Sequence, residues 1–557
     1  MRKFGFSFKF GVANTGKIEQ FGYISHAVPK FVDDKLCKET EDFLVILDGV
    51  IINKRDLSRK YKKENWYEAL LAMYLQNGDT FFSDFRGTFA GVLLDKKAQK
   101  VVAFSDQIGS KFLFYSRVNN EIIISTMMDD VYSFRKEKQV KNSLSIENAY
   151  LLLSYGFMID ERTLCEDIKK VKPGCYLTII DGIIKEKQFY YLDNTPNRTL
   201  SENEWIERID ETFRKAVKEQ FEKDKEYGYR HLVALSAGLD SRMTCWVAHD
   251  MGYTDQLNYT FSQSNYYDET IPETITRDLK HEWLFKSLDN GLWLYNLDDI
   301  TRLTGGNVLY YGLAHAYSMF SKMNFEEYGL IHTGQLGDVI LGTFYGSADE
   351  NAQFKWGDGA YSKTMLSRIQ DLPHSNYANQ EIAKFYMRGF TGTNNGNMAE
   401  YAFTESYSPF YNLDFFELAL SIPVEYRYRH RIYKKWILNK YPKAADYIWE
   451  NLGSKITRTL GIISIGGKSY KIEKIPEKAI RKLFPNLLKP DTQSMNPLSY
   501  YLSTNENLSS FIDSFVPYAD IITDAELKSD VLGLSKSSNG IERIEAASLL
   551  SALKIYF

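Results

Sequence analysis

The chain has 557 residues, enough for roughly two to four domains. Its 68 Lys+Arg against 72 Asp+Glu leave a net charge of -4, so no global basic field exists to hold a nucleic acid or an anionic membrane. With 44% hydrophobic and 25% charged residues the composition excludes a largely disordered chain.

In chain order, the first 190 or so residues read as strand-rich. The runs Phe43–Leu47, Phe89–Leu94, Val101–Phe104 and Glu121–Ser125 are β-prone and separated by turn-forming clusters, which predicts antiparallel sheets. The polar stretch Asp193–Ser201 predicts a linker, giving domains 1–195 and 202–557. Ser201 and Glu204 form a capping-box pattern, followed by Trp205, Ile209, Phe213, Val217 and Phe221 at helical spacing. The charged run Lys215–Lys225 is expected to be a solvated helix face. A strand at Leu232, a helix ending near Gly252 and a strand over Leu257–Phe261 then predict a parallel sheet with helices on both faces. From about residue 350 the pattern is mainly helical, including Phe415–Ile422, Ile432–Asn439 and Ile541–Ile555.

The most informative segment is Leu232-Val-Ala-Leu-Ser-Ala-Gly-Leu-Asp-Ser-Arg242. A buried strand runs into Ser236, Gly238, Asp240 and Ser241 and then into a helix, so backbone N–H groups and two hydroxyls converge at a positive helix N-terminus. That arrangement suits a phosphate chain, with Gly238 permitting close approach and Asp240 supplying a hard oxygen for Mg2+. A plain strand-turn-helix junction is the competing reading of these residues.

The segment resembles the Ser-Gly-Gly-x-Asp-Ser pyrophosphate loop of the ATP pyrophosphatase superfamily, with Ala237 in place of the first glycine. Leu330-Ile-His-Thr-Gly-Gln-Leu-Gly-Asp338 is similar to the Ser-Gly-Glu-Gly-Ser-Asp-Glu segment of asparagine synthetases. Thr163–Leu177, Glu405-Ser-Tyr-Ser-Pro-Phe-Tyr-Asn412 and Arg431-Ile-Tyr-Lys-Lys-Trp-Ile-Leu438 extend the resemblance. The chain is therefore identified as asparagine synthetase-like. The resemblance implies an α+β Ntn-hydrolase-like antiparallel β-sandwich, the glutaminase domain, followed by an α/β parallel-sheet ATP pyrophosphatase (adenine nucleotide alpha hydrolase-like) domain with a helical C-terminal part. It implies ATP and Mg2+ as cofactors. Nucleotide contacts fall on Leu235, Ser236, Gly238, Asp240, Ser241, Phe261, Thr333 and Gly334, magnesium on Asp240 and Asp338, and the catalytic cation on Lys435 rather than Lys434.

Both halves depart from the family pattern. Asp48-Gly-Val-Ile-Ile-Asn53 keeps the shape of a glutaminase segment, but Asp48 replaces the oxyanion-hole asparagine and cannot donate a hydrogen bond when ionised. Trp66 stands where a glutamine-binding aspartate belongs, the Arg-Gly-Pro-Asp segment has no counterpart between residues 25 and 45, and Arg2 occupies the position of the nucleophilic cysteine. A domain without glutaminase activity is expected. Gln335 replaces a glutamate, Val339 the next acid, and Tyr407 and Asn412 an arginine and an aspartate, which puts the acyl or amine substrate outside asparagine formation.

Four cysteines, Cys37, Cys165, Cys175 and Cys245, are too few and too scattered for a disulfide framework or a Cys-x-x-Cys metal site, and Cys37 reads as structural. The N-terminal segment lacks the apolar stretch of a signal peptide, and no apolar run approaches a membrane span. A cytoplasmic location is expected. Gly466-Gly-Lys-Ser469 lacks the upstream glycine of a Walker loop and reads as a turn. The leading reading is an ATP-dependent carbon-nitrogen ligase. It activates a carboxylate as an acyl-adenylate and passes it to ammonia or an amine. The carboxylate is a small molecule, a peptide or a sugar acid, with no nucleic acid or membrane span involved and a homodimer admitted. A non-catalytic nucleotide-binding or scaffold homologue is the second reading, and a sulfur-transfer enzyme the third.

Overall fold

The computed structural model describes residues 2–370, 372–458, 462–465, 468–471 and 492–557. Gly466 and Gly467 of the Walker-like segment lie outside the described residues.

Two antiparallel sheets make up the N-terminal half. The first has the order β2-β1-β8-β7-β9, from Phe6–Val12 (β1), Ile18–Ser25 (β2), Phe114–Val118 (β7), Glu121–Ser125 (β8) and Lys169–Lys170 (β9). The second has the order β11-β10-β6-β5-β4-β3, from Leu36–Glu39 (β3), Phe43–Ile51 (β4), Gly87–Asp95 (β5), Lys100–Ser105 (β6), Cys175–Ile180 (β10) and Ile183–Gln188 (β11). Alternation explains the stacking: Phe6, Phe8, Phe10 and Val12 of β1 point one way and meet Leu44, Ile46, Val92, Leu94 and Val101 between the sheets. The opposite face of the second sheet, Val45, Leu47, Leu93 and Val102, is covered by residues of the helices Lys54–Lys60 (α1) and Trp66–Asn77 (α2). Strands β4 to β6 are therefore apolar on both faces, which is why they stand out in the sequence. The helices Met128–Glu137 (α3) and Ile146–Tyr155 (α4) cover the outside of the first sheet, completing a helix-sheet-sheet-helix sandwich.

Ser201 caps the helix Glu202–Glu226 (α5) with both bonds of the capping box in place. Its stripe Trp205, Ile209, Phe213, Val217 and Phe221 is fully buried. Lys223 corrects the expectation of a solvated face: it turns inward and its ammonium lies 2.8 Å from Asp34, a buried acid that Lys54 also pairs at 2.7 Å. The five-stranded sheet that follows is parallel throughout, with the order β14-β13-β12-β15-β16. Its strands are Arg230–Ala234 (β12), Gln256–Ser262 (β13), Glu282–Ser287 (β14), Tyr328–His332 (β15) and Ser406–Tyr407 (β16). The chain builds outward from β12 in one direction and then restarts at β15 on the other side, which creates a crevice at the carboxyl ends of β12 and β15. The helices Asp240–Asp250 (α6), Tyr267–Leu279 (α7), Leu297–Thr304 (α8) and Tyr311–Phe320 (α9) follow in chain order.

The three predicted C-terminal helices are present as Leu413–Leu420, Arg431–Lys440 and Gly540–Tyr556. The region read as helical also holds strand β16 and a long irregular passage before Gln380. The polar stretch after Asp193 is pinned rather than loose, with the Asn194 amide donating to Glu381 at 3.0 Å and Arg198 paired with Glu350 and Glu425. One apolar core unites the helices on the first sheet with α8, α9 and the C-terminal helix, so the two halves share a buried interface. Among the described residues no helix is long and apolar enough to cross a membrane.

Candidate active site

Two loops meet in the crevice. The first, after β12, is tied at every turn. The Ser236 N–H donates to the Ser241 hydroxyl at 2.9 Å, the two hydroxyls lie 2.9 Å apart, and the Gly238 N–H donates to Ser236 Oγ at 3.2 Å. The Ala237 N–H donates to Asp268 of α7 at 2.8 Å, while buried Arg242 reaches back to the Ala237 carbonyl at 3.1 Å and across to those of Ala444 and Ile448 at 3.2 and 2.6 Å. A Cβ at Gly238 would meet only the Ser236 hydroxyl, at 3.2 Å, which leaves the other side of that glycine open. Leu235 departs from the expected contact set. Its N–H and carbonyl are bonded to Tyr259 and Thr260, and its side chain is buried in the core, so it supports the loop from beneath.

The second loop runs from Thr333 through Leu336, which holds φ at +66°, into the short helix Gly337–Ile340 (α10). Its glycines are required by contact between the loops. A Cβ on Gly334 would lie 2.3 Å from the Ser241 nitrogen, and one on Gly337 would lie 2.7 Å from Asp240 Cγ. This approach brings the two acids together: the Asp338 N–H donates to Asp240 Oδ2 at 2.9 Å, and the Tyr433 hydroxyl donates to Oδ1 at 2.9 Å. Burial and the neighbouring Asp338 charge push Asp240 well above the usual carboxylate range. Neither acid pairs with a lysine or arginine among the described residues, and Asp338 is exposed. Two oxygen ligands without a cation between them fit a divalent metal.

Thr333 hands its N–H to Tyr407 and its carbonyl to Thr244, and its hydroxyl is buried without a partner. Phe261 lies half-buried at the end of β13, its ring centroid 4.4 Å from that of His315. The structure thus brings Ser236, Gly238, Asp240, Ser241, Thr333, Gly334 and Asp338 to one edge of the sheet.

It does not bring Lys435 there. The Lys435 ammonium pairs with Glu202 at the start of α5, an acid also held by Arg431 at 3.0 Å, and its side chain is 45% exposed. Lys434 is half-buried, without an acidic partner among the described residues, and near Arg429 and His430; burial and the Arg429 charge lower its pKa. His430 in turn faces Asp338. The apolar run Trp436–Leu438 reflects packing, with Trp436 and Ile437 fully buried, whereas the i, i+4 spacing of Arg431 and Lys435 marks an outward cationic stripe. Sequence reasoning also missed Arg242, Asp268, His430 and Tyr433, which no local motif signals. Asn412 is a helix cap, accepting from the Phe415 N–H at 3.2 Å, and Tyr407 is buried in β16.

Asp48 sits at the interface of the halves in a closed ionic square. Lys111 lies 2.6 Å from Asp48 and 2.9 Å from Glu405, and Lys35 lies 3.3 Å from Asp48 and 2.7 Å from Glu405; all four side chains are buried. Burial opposes ionisation of Asp48, but the two lysines outweigh it and hold the acid at about 2. Trp66 is buried at the start of α2, its indole N–H donating to the Asp34 carbonyl at 3.1 Å. Cys37 is exposed on β3. The cluster of potential ligand atoms formed by Asp224, His231 and His332 is bonded within itself, at 2.9 and 2.7 Å.

Residues 32–191 match the glutamine amidotransferase domain family. The amidase chry2 of Gibberella zeae is 29% identical over 180 residues, covering 31% of this chain and 25% of that protein. Asparagine synthetase (glutamine-hydrolyzing) 2 of Bacillus subtilis is 25% identical over 338 residues, covering 55% of this chain and 43% of that protein. The glutamine phosphoribosylpyrophosphate amidotransferase of B. subtilis overlays with a TM-score of 0.25 at 9% identity, covering 51% of this chain and 85% of that one. The chain spans a quarter to under half the length of these two curated relatives. The chain thus carries an amidotransferase-family match in its N-terminal region and is similar to asparagine synthetases over part of its length.

Proposed function

We propose that the chain is an ATP-dependent amide-forming ligase that activates a carboxylate as an acyl-adenylate, releases pyrophosphate, and passes the acyl group to ammonia or an amine. The observation that carries this reading is the meeting of two loops over an uncompensated pair of acids. Ser236, Gly238 and Ser241 at the N-terminus of α6 cradle the phosphates, and Asp240 and Asp338 hold magnesium, which when bound neutralises charge on the polyphosphate. Tyr433 and the Asp338 N–H fix the orientation of Asp240. Lys434 stabilises negative charge on the α-phosphate as the acyl group is transferred.

The N-terminal domain does not hydrolyse glutamine on this reading. Asp48 is an ionised acceptor locked to two lysines and offers no donor to an oxyanion, and Trp66 fills the position of a substrate-binding acid. The domain instead buttresses Glu405 at the foot of β16.

Calorimetry of ATP binding with and without Mg2+, on wild type and Asp240→Asn, tests the reading. Binding should require Mg2+ in the wild type and weaken in the variant. AMP and pyrophosphate formation is then assayed across a panel of amino-acid, peptide and sugar carboxylates with ammonium as acceptor. Equal ATP affinity with and without Mg2+, unchanged in Asp240→Asn, would overturn the proposal.

A further inference from the structure

Two histidines face each other at the end of α6 opposite the phosphate loop. His249 stands in the last turn of α6 and His281 just before β14, both partly exposed, and His249 Nδ1 lies 2.8 Å from His281 Nε2. They are 32 residues apart in the chain, so no local motif announces them.

The groups behind His281 fix its tautomer. Asn258 of β13 is fully buried, with its amide nitrogen turned to the Val233 carbonyl at 3.4 Å and to the Cys245 sulfur at 3.5 Å, which leaves its oxygen to accept. The His281 Nδ1–H donates to that oxygen at 2.8 Å. Burial and the neighbouring His249 lower the His281 pKa to about 4, so the ring is neutral and its Nε2 carries a lone pair aimed at His249. Burial shifts His249 down as well. Metal-binding imidazoles are held in this way, one ring nitrogen donating to an oxygen of the protein and the other left free to ligate.

The surrounding charge favours a cation. The pair sits at the C-terminus of an 11-residue helix, the negative end of its dipole, and Asp250 is the charged group that acts on His249. Cys245, one turn back on α6, lies 3.8 Å from the other ring nitrogen of His281, and burial pushes its thiol up to about 12, so it stays a protonated neighbour. The trio Asp224, His231 and His332 differs from this pair: both of its imidazoles aim a nitrogen at one carboxylate oxygen, all three side chains are buried, and the Lys30 charge lies nearby.

We propose that His249 and His281 form a binding site for a late divalent transition metal, of the class of Zn2+ and Cu2+, that ties the end of α6 to the start of β14. The two imidazole nitrogens are the protein ligands, and water completes the shell on the exposed side. Binding releases no net proton: the hydrogen on His249 Nδ1 passes by way of solvent to Nε2 of the same ring, and the freed lone pair joins that of His281. Two nitrogens each about 2.0–2.1 Å from one tetrahedral ion stand about 3.3 Å apart, so His249 withdraws by roughly half an ångström, which its partly exposed place allows. Mg2+, which takes oxygen ligands, is not accepted. The site is independent of the ligase reading, since it lies about 14 Å along the helix from Asp240.

The test is calorimetry of ZnCl2 binding to the full chain, freed of metal by a chelator and held at pH 7.5 with excess Mg2+ to occupy the acids of the crevice. One equivalent of zinc should bind to the wild type. His249→Gln and His281→Gln should each weaken it by about tenfold or more, whereas Asp240→Asn and His231→Gln should keep it. With Cu2+ as the probe, the electron paramagnetic resonance spectrum should show splitting from two nitrogens in the wild type and from one in His249→Gln, a readout that holds even where His281→Gln folds poorly. No zinc equivalent in the wild type, or one that survives in both histidine variants, overturns the assignment. Zinc that is kept in His249→Gln but lost in Asp240→Asn or His231→Gln belongs to the crevice or to the buried trio, and overturns it as well.

Discussion

Glu405 and Glu400 stand close together in the chain, and both are buried, yet their surroundings are opposite. Glu405 shares two lysines with Asp48 across the interface of the halves, forming a network whose charges cancel. Glu400, like the Asp240 and Asp338 pair at the neighbouring edge of the sheet, forms no ion pair with a lysine or arginine among the described residues. Removing a charge from water is expensive, and a protein that compensates it internally gains a fixed structure, while one that leaves it uncompensated holds a site ready for a cation from outside. The contrast separates an internally balanced network from acids left without a lysine or arginine partner among the described residues.

Breaking the compensated region should have the largest effect on stability. Lys111→Met leaves Asp48 and Glu405 with Lys35 alone, and should cost about 3–5 kcal/mol in urea unfolding. A second change, Asp48→Leu, should recover part of that loss, because the remaining pair of Lys35 and Glu405 is again balanced. A cost under about 1 kcal/mol in the single variant would erase the distinction between the two regions.

In the uncompensated region the expected effect is on rate. Lys434→Ala should lower pyrophosphate release, with whichever carboxylate supports it, by about two to three orders of magnitude, while Mg2+-dependent ATP affinity stays nearly unchanged. Parallel losses of rate and affinity would assign Lys434 to ground-state binding.

The pH dependence of stability gives a finer test. Glu400 has its folded pKa raised to about 7 from 4.5, so its contribution is fully present below about pH 4.5 and is lost as pH rises through 7. Relative to wild type, Glu400→Gln should therefore gain stability from pH 5 to 7.5, by at most about 1.4 kcal/mol per pH unit. Asp48, held at about 2, has the opposite sign: its stabilisation is present above its ordinary value of 3.8 and is lost as pH falls toward 2. Chemical denaturation of wild type, Glu400→Gln and Asp48→Asn across pH 3–8 reads both slopes, and equal slopes in all three would break the comparison.

How far the sequence carried the argument depends on whether a feature is local. Strands β4 to β6 and helix α5 were legible because apolar runs and a capping box are written in consecutive residues. The two loops were legible because glycines and acids occur at short, fixed spacing, although Gly334 proves to serve the contact between loops as much as any ligand. The ionic square, the Arg242 clamp and the facing pair of His249 and His281 were not, since their members lie far apart in the chain and meet only after folding. Lys223 shows the same limit: a charged run on a helix looks solvated until Asp34 is packed against it.

The smallest expected effect is also the one that fixes the lysine assignment. Lys435 pairs with Glu202 on an outer face, and its side chain is nearly half exposed, so the pair is screened by solvent and contributes about 0–1 kcal/mol. Arg431 holds the same carboxylate and remains in Lys435→Ala, which reduces the loss further. Lys435→Ala should therefore unfold within about 1 kcal/mol of wild type, bind ATP with unchanged Mg2+ dependence, and release pyrophosphate at the wild-type rate. Lys434 and Lys435 are adjacent in the chain and chemically identical, so composition and helix propensity cancel between the two alanine variants, and what remains is the direction in which each side chain leaves the helix. A large rate loss in Lys435→Ala with none in Lys434→Ala would mean that Glu202 releases its partner when the site fills, and would return the catalytic cation to position 435.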